Sequence, residues 1–248
     1  MTTKNLNGFR IEGAVALVTG ANRGLGRHFA RQLLNRGAAR VYATARRPET
    51  IDLPGVVPLR LDVTDEAQVL AAAAAATDVT LLVNNAGVSH STYFLTTDPA
   101  AIRAEMETNF WGTLAAVRAF APALTANGGG AILNVLSAQS WHAYPGTNGY
   151  HATKAAQWAL TNGVRLELPG TLVTALHLGG GRHRLQRRLR RAEGRPGRGR
   201  AGRPGRDRGG SGRGARRRME QARQEVAGGG SHPVVRRDPG GHGLTHLV

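Results

Sequence analysis

The sequence predicts an α/β protein built on a Rossmann-like, doubly wound parallel sheet. Three observations predict it. Apolar, strand-like runs alternate with helical patterns from residue 14 to residue 177, as repeated βαβ units do. The first run breaks into glycines and then reads as a helix, in "VALVTGANRGLGRHFARQLLNRGA", Val15–Ala38. Polar or flexible residues, Gly20, Asp62, Asn84 and Ser137, close the strand-like runs, and ligands of such sheets bind beyond the carboxyl ends of the strands.

Each element has its own justification. Ala14–Thr19 is continuous and apolar, as a strand covered on both faces is. Arg27–Asn35 is a helix, because Phe29, Ala30, Leu33 and Leu34 recur at helical spacing, and Gly37 ends it. Arg40–Thr44 and Val57–Leu61 are the next strands. The alanine-rich stretch from Glu66 is helix-forming, and Thr80–Asn84 is the fourth strand. Ile102–Leu124 carries one long helical pattern, Ala131–Ser137 is the fifth strand, a helix holds Tyr150–Gly163, and Leu172–His177 is the sixth strand.

Gly20, Gly24 and Gly26 fall where the first strand turns into the first helix. Without Cβ atoms a phosphate-bearing ligand approaches the backbone, and a helix N-terminus offers free N–H groups and a positive field. The spacing is Gly-x-x-x-Gly-x-Gly, and no Gly-Lys-Ser/Thr follows, so the P-loop pattern fails. A tight strand-to-helix turn also uses glycine, and this stretch alone leaves both readings open.

The chain has 248 residues, a net charge of +17 and no cysteine. Disulfides, thiol ligands and cysteine nucleophiles are excluded, and no metal site is expected. The first residues hold no apolar run ahead of a cleavage site, and no apolar run reaches membrane length, so a cytoplasmic protein without membrane contact is expected. The charge is uneven. Residues 1–177 carry 14 Lys+Arg against 11 Asp+Glu, whereas residues 178–248 carry 19 against 5, with 18 of the 34 glycines and no aromatic residue.

Tyr150 and Lys154 stand one helical turn apart and share a face. An isolated pair of this kind reads as an edge tyrosine and a solvated lysine. Ser137 changes that reading, because it ends a strand at the sheet edge to which the helix returns. A tyrosine titrates near about 10, and a neighbouring ammonium favours its phenolate. Tyr150 then exchanges a proton with a carbonyl or alcohol oxygen that Ser137 holds by a hydrogen bond.

These motifs resemble the short-chain dehydrogenase/reductase family. "TGANRGLG" is Thr19–Gly26, "NNAG" is Asn84–Gly87, "TNFWG" holds Asn109, "NVLSA" holds Ser137, and "YHATK" supplies Tyr150 and Lys154. The resemblance runs from Gly13 to about His177. It implies a bound nicotinamide cofactor, a small carbonyl or alcohol substrate, hydride transfer between them, and a homo-oligomer. It implies Asn109, Ser137, Tyr150 and Lys154 as catalytic residues, with Lys154 also on the nicotinamide ribose and Asn109 holding a relay water. The implied cofactor-binding residues are Gly20, Asn22, Arg23, Gly24, Leu25, Gly26, Arg46, Asp62, Val63, Asn85, Ala86 and Gly87, with Tyr150 and Lys154. Asp62 and Val63 stand by the adenine.

Cofactor choice is a matter of charge. NAD-specific sites place a carboxylate after the second strand. Here that strand ends "ATARRPE", with Arg46 and Arg47 and no carboxylate before Glu49. Guanidiniums suit a 2′-phosphate, and Arg23 resembles the basic residue of NADP-preferring members. NADP is therefore expected over NAD. Trp141 and Tyr144, in the stretch between Ser137 and Tyr150, form one wall for an apolar or ring-bearing substrate.

Two domains of unequal character are expected: a dinucleotide-binding core over 1–177 and an Arg/Gly-rich segment over 178–248. The sheet is then truncated at its last strand. The segment has three explanations. A basic tail binds nucleic acid by charge, but the aromatics that stack on bases are missing, so nucleic acid is not the expected partner. A reading-frame error in a GC-rich gene is the favoured explanation: one codon string for Gly181–Gly197, read a base later, gives GVTDFSAAFDAPKVDP, and Gly214–Ala227 also shifts to a plausible protein sequence. Decay of an unused gene leaves the same trace. The alternative function is a non-catalytic nucleotide sensor, or a nucleic-acid-associated protein using the basic segment. As written, Gly179–Val248 is expected to lack a packed structure and a seventh strand.

Overall fold

The computed structural model describes residues 8–179. The expectations for residues 180–248, including disorder, a missing seventh strand and the shifted frame, fall outside the described residues.

Six strands form one sheet in the order β3-β2-β1-β4-β5-β6. They are β1 (Val15–Val18), β2 (Arg40–Ala45), β3 (Val57–Arg60), β4 (Leu81–Asn84), β5 (Ala131–Ser137) and β6 (Leu172–Leu178). Every pairing is parallel. The order reverses between β1 and β4, which is the switch point where doubly wound sheets take their ligands. The turn after β1 and the end of β4 therefore lie side by side.

Alternation along β1 explains the two-faced core. Leu17 packs on one face with Leu82, Val69, Phe120, Leu124, Ile132 and Val164. Ala16 and Val18 pack on the other with Val41, Ala43, Val83, Ala30 and Leu33. Successive side chains of a strand point to opposite faces, so a run with no polar residue is what a doubly covered strand requires. Helix α1 (Gly24–Asn35) covers the second face, and α2 (Glu66–Ala75), α4 (Gly112–Ala126) and α5 (Asn148–Glu167) the first. The short α3 (Pro99–Met106) precedes α4.

Two helices depart from the sequence expectation. Helix α1 begins at Gly24 rather than at Arg27, so Gly24 and Gly26 lie in its first turn and Gly20 alone stands in the connecting loop. Its end is as expected: Gly37 has φ +81, and the Gly37 and Ala38 amides donate to Leu34 and Leu33, a left-handed helix stop. The single helix expected over Ile102–Leu124 is instead α3, a π-turn over Glu107–Trp111 and α4. The π-turn lets Asn109 turn inward to partners on two other elements, as described below. Among the described residues, no helix is long and apolar enough to cross a membrane, and no cluster of His, Asp or Glu could hold a metal.

Candidate active site

The loop after β1 is held by hydrogen bonds from the end of β4. Asn85 Nδ2 donates to the carbonyls of Thr19 (2.9 Å) and Gly20 (3.2 Å). The Thr19 hydroxyl oxygen accepts from the amides of Asn85 (3.0 Å) and Ala86 (2.9 Å). Gly20 has φ +66, where only glycine is unstrained. A Cβ on Gly26 would stand 2.1 Å from the Gly20 carbonyl oxygen and 2.6 Å from Asn85 Nδ2. Gly26 is thus required by close backbone approach and Gly20 by its backbone angle, and the "NNAG" asparagine at 85 is the strut that holds the loop. Ala86 borders Gly20, and Gly87 borders the Asn109 side chain.

The loop also fits a dinucleotide. A Cβ on Gly24 would meet nothing within 4 Å, so the outer side of the loop is open. The first turn of α1 has no side-chain cap on its N–H groups, which is the arrangement that receives a pyrophosphate. Leu25 lies half-buried in that turn. Asn22 Nδ2 donates to Thr50 Oγ1 (3.1 Å) and ties the loop to the turn after β2. Arg23, Arg46 and Arg47 are exposed. Asp62 follows β3, and its carboxylate accepts from the Thr64 amide (3.1 Å) and hydroxyl (2.8 Å). The Val63 side chain is buried in the core, so only its backbone is free to meet a ligand.

The catalytic candidates gather at the ends of β4 and β5. Asn109 is fully buried in the π-turn. Its Oδ1 accepts from the Val88 amide (2.9 Å), and its Nδ2 donates to the Val88 carbonyl (2.9 Å) and to Thr153 Oγ1 (2.9 Å). One amide thereby fixes the strand exit after β4 to α5. Ser137 closes β5; its hydroxyl oxygen accepts from the Gln139 amide (3.1 Å).

Tyr150 and Lys154 share a face of α5, with Lys154 Nζ 5.6 Å from the centre of the Tyr150 ring, within cation–π reach. Nζ donates to the Val135 carbonyl (2.8 Å), two residues before Ser137, and to Gln157 Oε1 (2.7 Å). Burial disfavours the ammonium and pulls the Lys154 pKa down from 10.5 to about 7. The first turn of α5 is bound to the segment after Ser137: Thr147 Oγ1 donates to Gln139 Oε1 (2.8 Å), and His151 Nδ1 lies 2.6 Å from the Gln139 carbonyl. Trp141 stacks on His177 at 3.9 Å, with Trp158 edge-on to both.

Residues that the sequence reading missed complete this half. Glu105 of α3 is fully buried. Its carboxylate accepts from the His90 amide (2.5 Å) and the Thr92 hydroxyl (3.3 Å), and the Thr92 hydroxyl accepts from the Gly149 amide (3.0 Å). Glu105 and Asn109 thus hold the segment after β4 against α5 at two points. Gly149 is obligatory here, since a Cβ would stand 2.3 Å from Glu105 Oε2. The available signal was Glu105 standing four residues before Asn109 within a helix. Gln157, one turn beyond Lys154, was likewise unread.

The fold and this site define a class: a nicotinamide-dinucleotide-dependent oxidoreductase on a doubly wound sheet. A sequence model of the short chain dehydrogenases matches residues 14–193, and the chain belongs to that family. The match ends beyond His177, where the sequence reading drew its boundary. Galactitol 2-dehydrogenase (L-tagatose-forming) of Cereibacter sphaeroides is 36% identical over 174 residues, 65% of this chain and 68% of that one. Carbonyl reductase [NADPH] 2 of Sus scrofa is 32% identical over 169 residues, 66% and 67% of the two chains. A crystal structure of a short chain dehydrogenase from Burkholderia cenocepacia J2315 in complex with NADP is 37% identical, with a TM-score of 0.66 over 88% of this chain and 97% of that one. The protein is an NAD(P)-dependent oxidoreductase.

Proposed function

We propose that the chain interconverts a small carbonyl compound and its alcohol, with NADP(H) preferred to NAD(H). The observation that carries the reading is the Lys154–Val135 hydrogen bond of 2.8 Å. It brings the α5 face that bears Tyr150 to the strand that ends in Ser137. A nicotinamide dinucleotide, when bound, supplies the two-electron transfer. Gly20, Asn22, Gly24, Leu25 and Gly26 would hold its phosphates, and Asp62, Val63, Ala86 and Gly87 would hold the parts beyond.

The residues of the chain do the rest. Ser137 holds the substrate oxygen by a hydrogen bond. Tyr150 gives that oxygen a proton during reduction and takes it back during oxidation. The Lys154 ammonium favours negative charge on the phenol oxygen. Asn109 keeps the segment after β4 and α5 at fixed separation. Trp141 and Tyr144, both about half exposed, form an aromatic wall for the substrate. As in the family at large, copies of the chain would associate.

Preference for NADP is supported by Arg23 and Arg46, exposed and without an ion pair among the described residues. Arg27 is already engaged by Asp52 at 2.9 Å. The preference is supported further by the NADP complex of the Burkholderia cenocepacia enzyme and by the NADPH in the name of the Sus scrofa carbonyl reductase. The test is turnover of small ketones and alcohols by the full chain and by Tyr150→Phe. The phenylalanine variant is expected to lose about a hundredfold or more in kcat, the scale of general acid–base catalysis, while NADPH binding followed by fluorescence stays near the parent value. Equal kcat in the two proteins removes Tyr150 from the reaction.

A further inference from the structure

Gln157 is fully buried, and both ends of its amide are engaged. Its Oε1 accepts from Lys154 Nζ at 2.7 Å, and its Nε2 donates to Thr113 Oγ1 at 2.7 Å. The Thr113 hydroxyl in turn donates to the Asn109 carbonyl at 2.8 Å. A chain of hydrogen bonds made wholly of protein groups therefore runs from the Lys154 ammonium to the π-turn. An amide carries no mobile proton at neutral pH, so this chain is not a proton wire. It fixes position and charge.

We propose that Gln157 is a positioning residue for the reaction, holding the Lys154 ammonium in its charged form and tying it to the turn that bears Asn109. The geometry has a definite consequence. An ammonium has three donors. Val135 and Gln157 take two of them, and one is left for a ligand hydroxyl. Replacing Gln157 by an apolar residue frees a second donor inside the protein and orphans the Thr113 oxygen as an acceptor.

The ammonium itself is marginal, because burial drives its pKa to about 7. The titratable groups that the packed elements bring to this end of the sheet are Tyr150 and His151 on α5, His177 on β6, and Glu105 with His90 beyond Asn109. Of these, Tyr150 turns its ring toward Nζ, 5.6 Å from the ring centre. Of the two acceptors, the Val135 carbonyl belongs to the strand backbone and Gln157 Oε1 to a side chain, so Gln157 favours the charged form by a hydrogen bond that a substitution can remove. Without it, deprotonation moves to lower pH. The inference rests on the proposed role of Lys154, but its primary readout, the Lys154 titration midpoint, needs neither turnover nor nucleotide.

The chain has two lysines, Lys4 and Lys154, so isotope labelling at the lysine side chain gives two assignable NMR signals. The full-length protein, Gln157→Leu and Gln157→Glu are titrated with Lys4 as internal reference. In the leucine variant the Lys154 midpoint is expected to fall by about one unit or more, the scale of a lost charged hydrogen bond. In the glutamate variant a carboxylate faces the ammonium, and the midpoint is expected to rise. A purely structural Gln157 lowers the melting temperature but leaves the midpoint in place, and that result overturns the proposal. If the leucine variant does not fold, the glutamate variant decides alone: an unmoved or lowered midpoint overturns the proposal. NADPH titration separates the two readings. A shifted midpoint with unchanged NADPH affinity upholds Gln157 and defeats the placement of Lys154 at the cofactor.

Discussion

The two halves of the site are built by opposite means. Around β1–β3 the candidate cofactor site is backbone: Gly20 at positive φ, Gly26 with no room for a Cβ, an uncapped helix start, and exposed arginines at the rim. Between β4, β5, α4 and α5 the candidate site rests on side chains beneath it, with Asn109, Glu105, Lys154, Thr153 and Gln157 all nine-tenths or more buried and hydrogen-bonded to one another or to backbone. The difference follows from the tasks. A pyrophosphate is recognised through many N–H groups at once, which backbone supplies. Proton transfer at one oxygen needs a few groups with fixed positions and tuned charge, which only a buried network supplies.

The comparison breaks most visibly at Gly26. A methyl group there meets the Gly20 carbonyl, which is backbone and cannot rotate away. Gly26→Ala is expected to lose nucleotide binding and about 1–3 kcal/mol of stability, the usual range for overpacking. Urea unfolding and NADPH fluorescence measure the two losses. An alanine variant with the parent's urea midpoint and affinity shows that the loop can spread, and the backbone-built half is then softer than drawn.

Asn109→Leu is the matching test of the other half. The shape is nearly kept, but the Val88 amide and carbonyl lose their partner, and the Thr153 hydroxyl keeps only the Tyr150 carbonyl. Each buried unpaired group costs about 1–3 kcal/mol. The variant is expected to melt lower and to exchange amide hydrogens faster in residues 88–92, with the first turn of α1 unaffected. Uniform loosening of both regions sinks the division into halves.

Arg46→Asp probes the rim of the backbone-built half, and its effect is on binding alone. Loss of a charged contact worth about 1.5–3 kcal/mol weakens NADPH by about ten- to a hundredfold, with NADH weakened less. Stability stays within about 0.5 kcal/mol, as for surface changes away from special features. If the parent protein binds NADH as tightly as NADPH, the charge argument for the cofactor fails.

The same division explains what was legible in the sequence. The backbone-built half announces itself, because glycine is chosen by local geometry, and Gly20 and Gly26 sit where the loop needs them. All six strands were legible to within a residue or two, since a doubly covered strand is a run of apolar residues. The π-turn was not. A single extra residue per turn at Glu107–Trp111 leaves the apolar pattern of Ile102–Leu124 nearly intact, and the turn's significance lies in Asn109 reaching Val88 and Thr153, contacts 21 and 44 residues away in sequence. Ser137, Tyr150 and Lys154 were legible by motif. Glu105 and Gln157 were not, because a buried polar residue on a helix has the same spacing as a solvated one, and only its tertiary partners tell them apart.

The smallest expected effect lies where a side chain supports the backbone-built half. Asp65 caps α2: its carboxylate accepts from the Gln68 amide (3.1 Å) and from Gln68 Nε2 (2.6 Å), while Gln68 Oε1 accepts from the Asp62 amide (3.0 Å). The pair fixes the turn at Asp62. The Gln68 backbone hydrogen bond, then that from its side chain, hold the Asp65 carboxyl below its ordinary 3.8. The folded chain thus binds this proton less readily than the unfolded chain does, and the stabilisation is present above the ordinary value and lost as pH falls through the folded one. Asp65→Asn keeps an acceptor for the Gln68 amide but carries no charge at any pH. Urea midpoints of the two proteins, followed from about pH 7 down to about pH 2.5, are expected to differ at neutral pH and to converge in acid. NADPH affinity is expected to change little, because the asparagine still caps the helix. A gap that is constant with pH shows that the cap acts through shape alone; a large loss of NADPH affinity shows that the cofactor half depends on side chains as much as the catalytic half does.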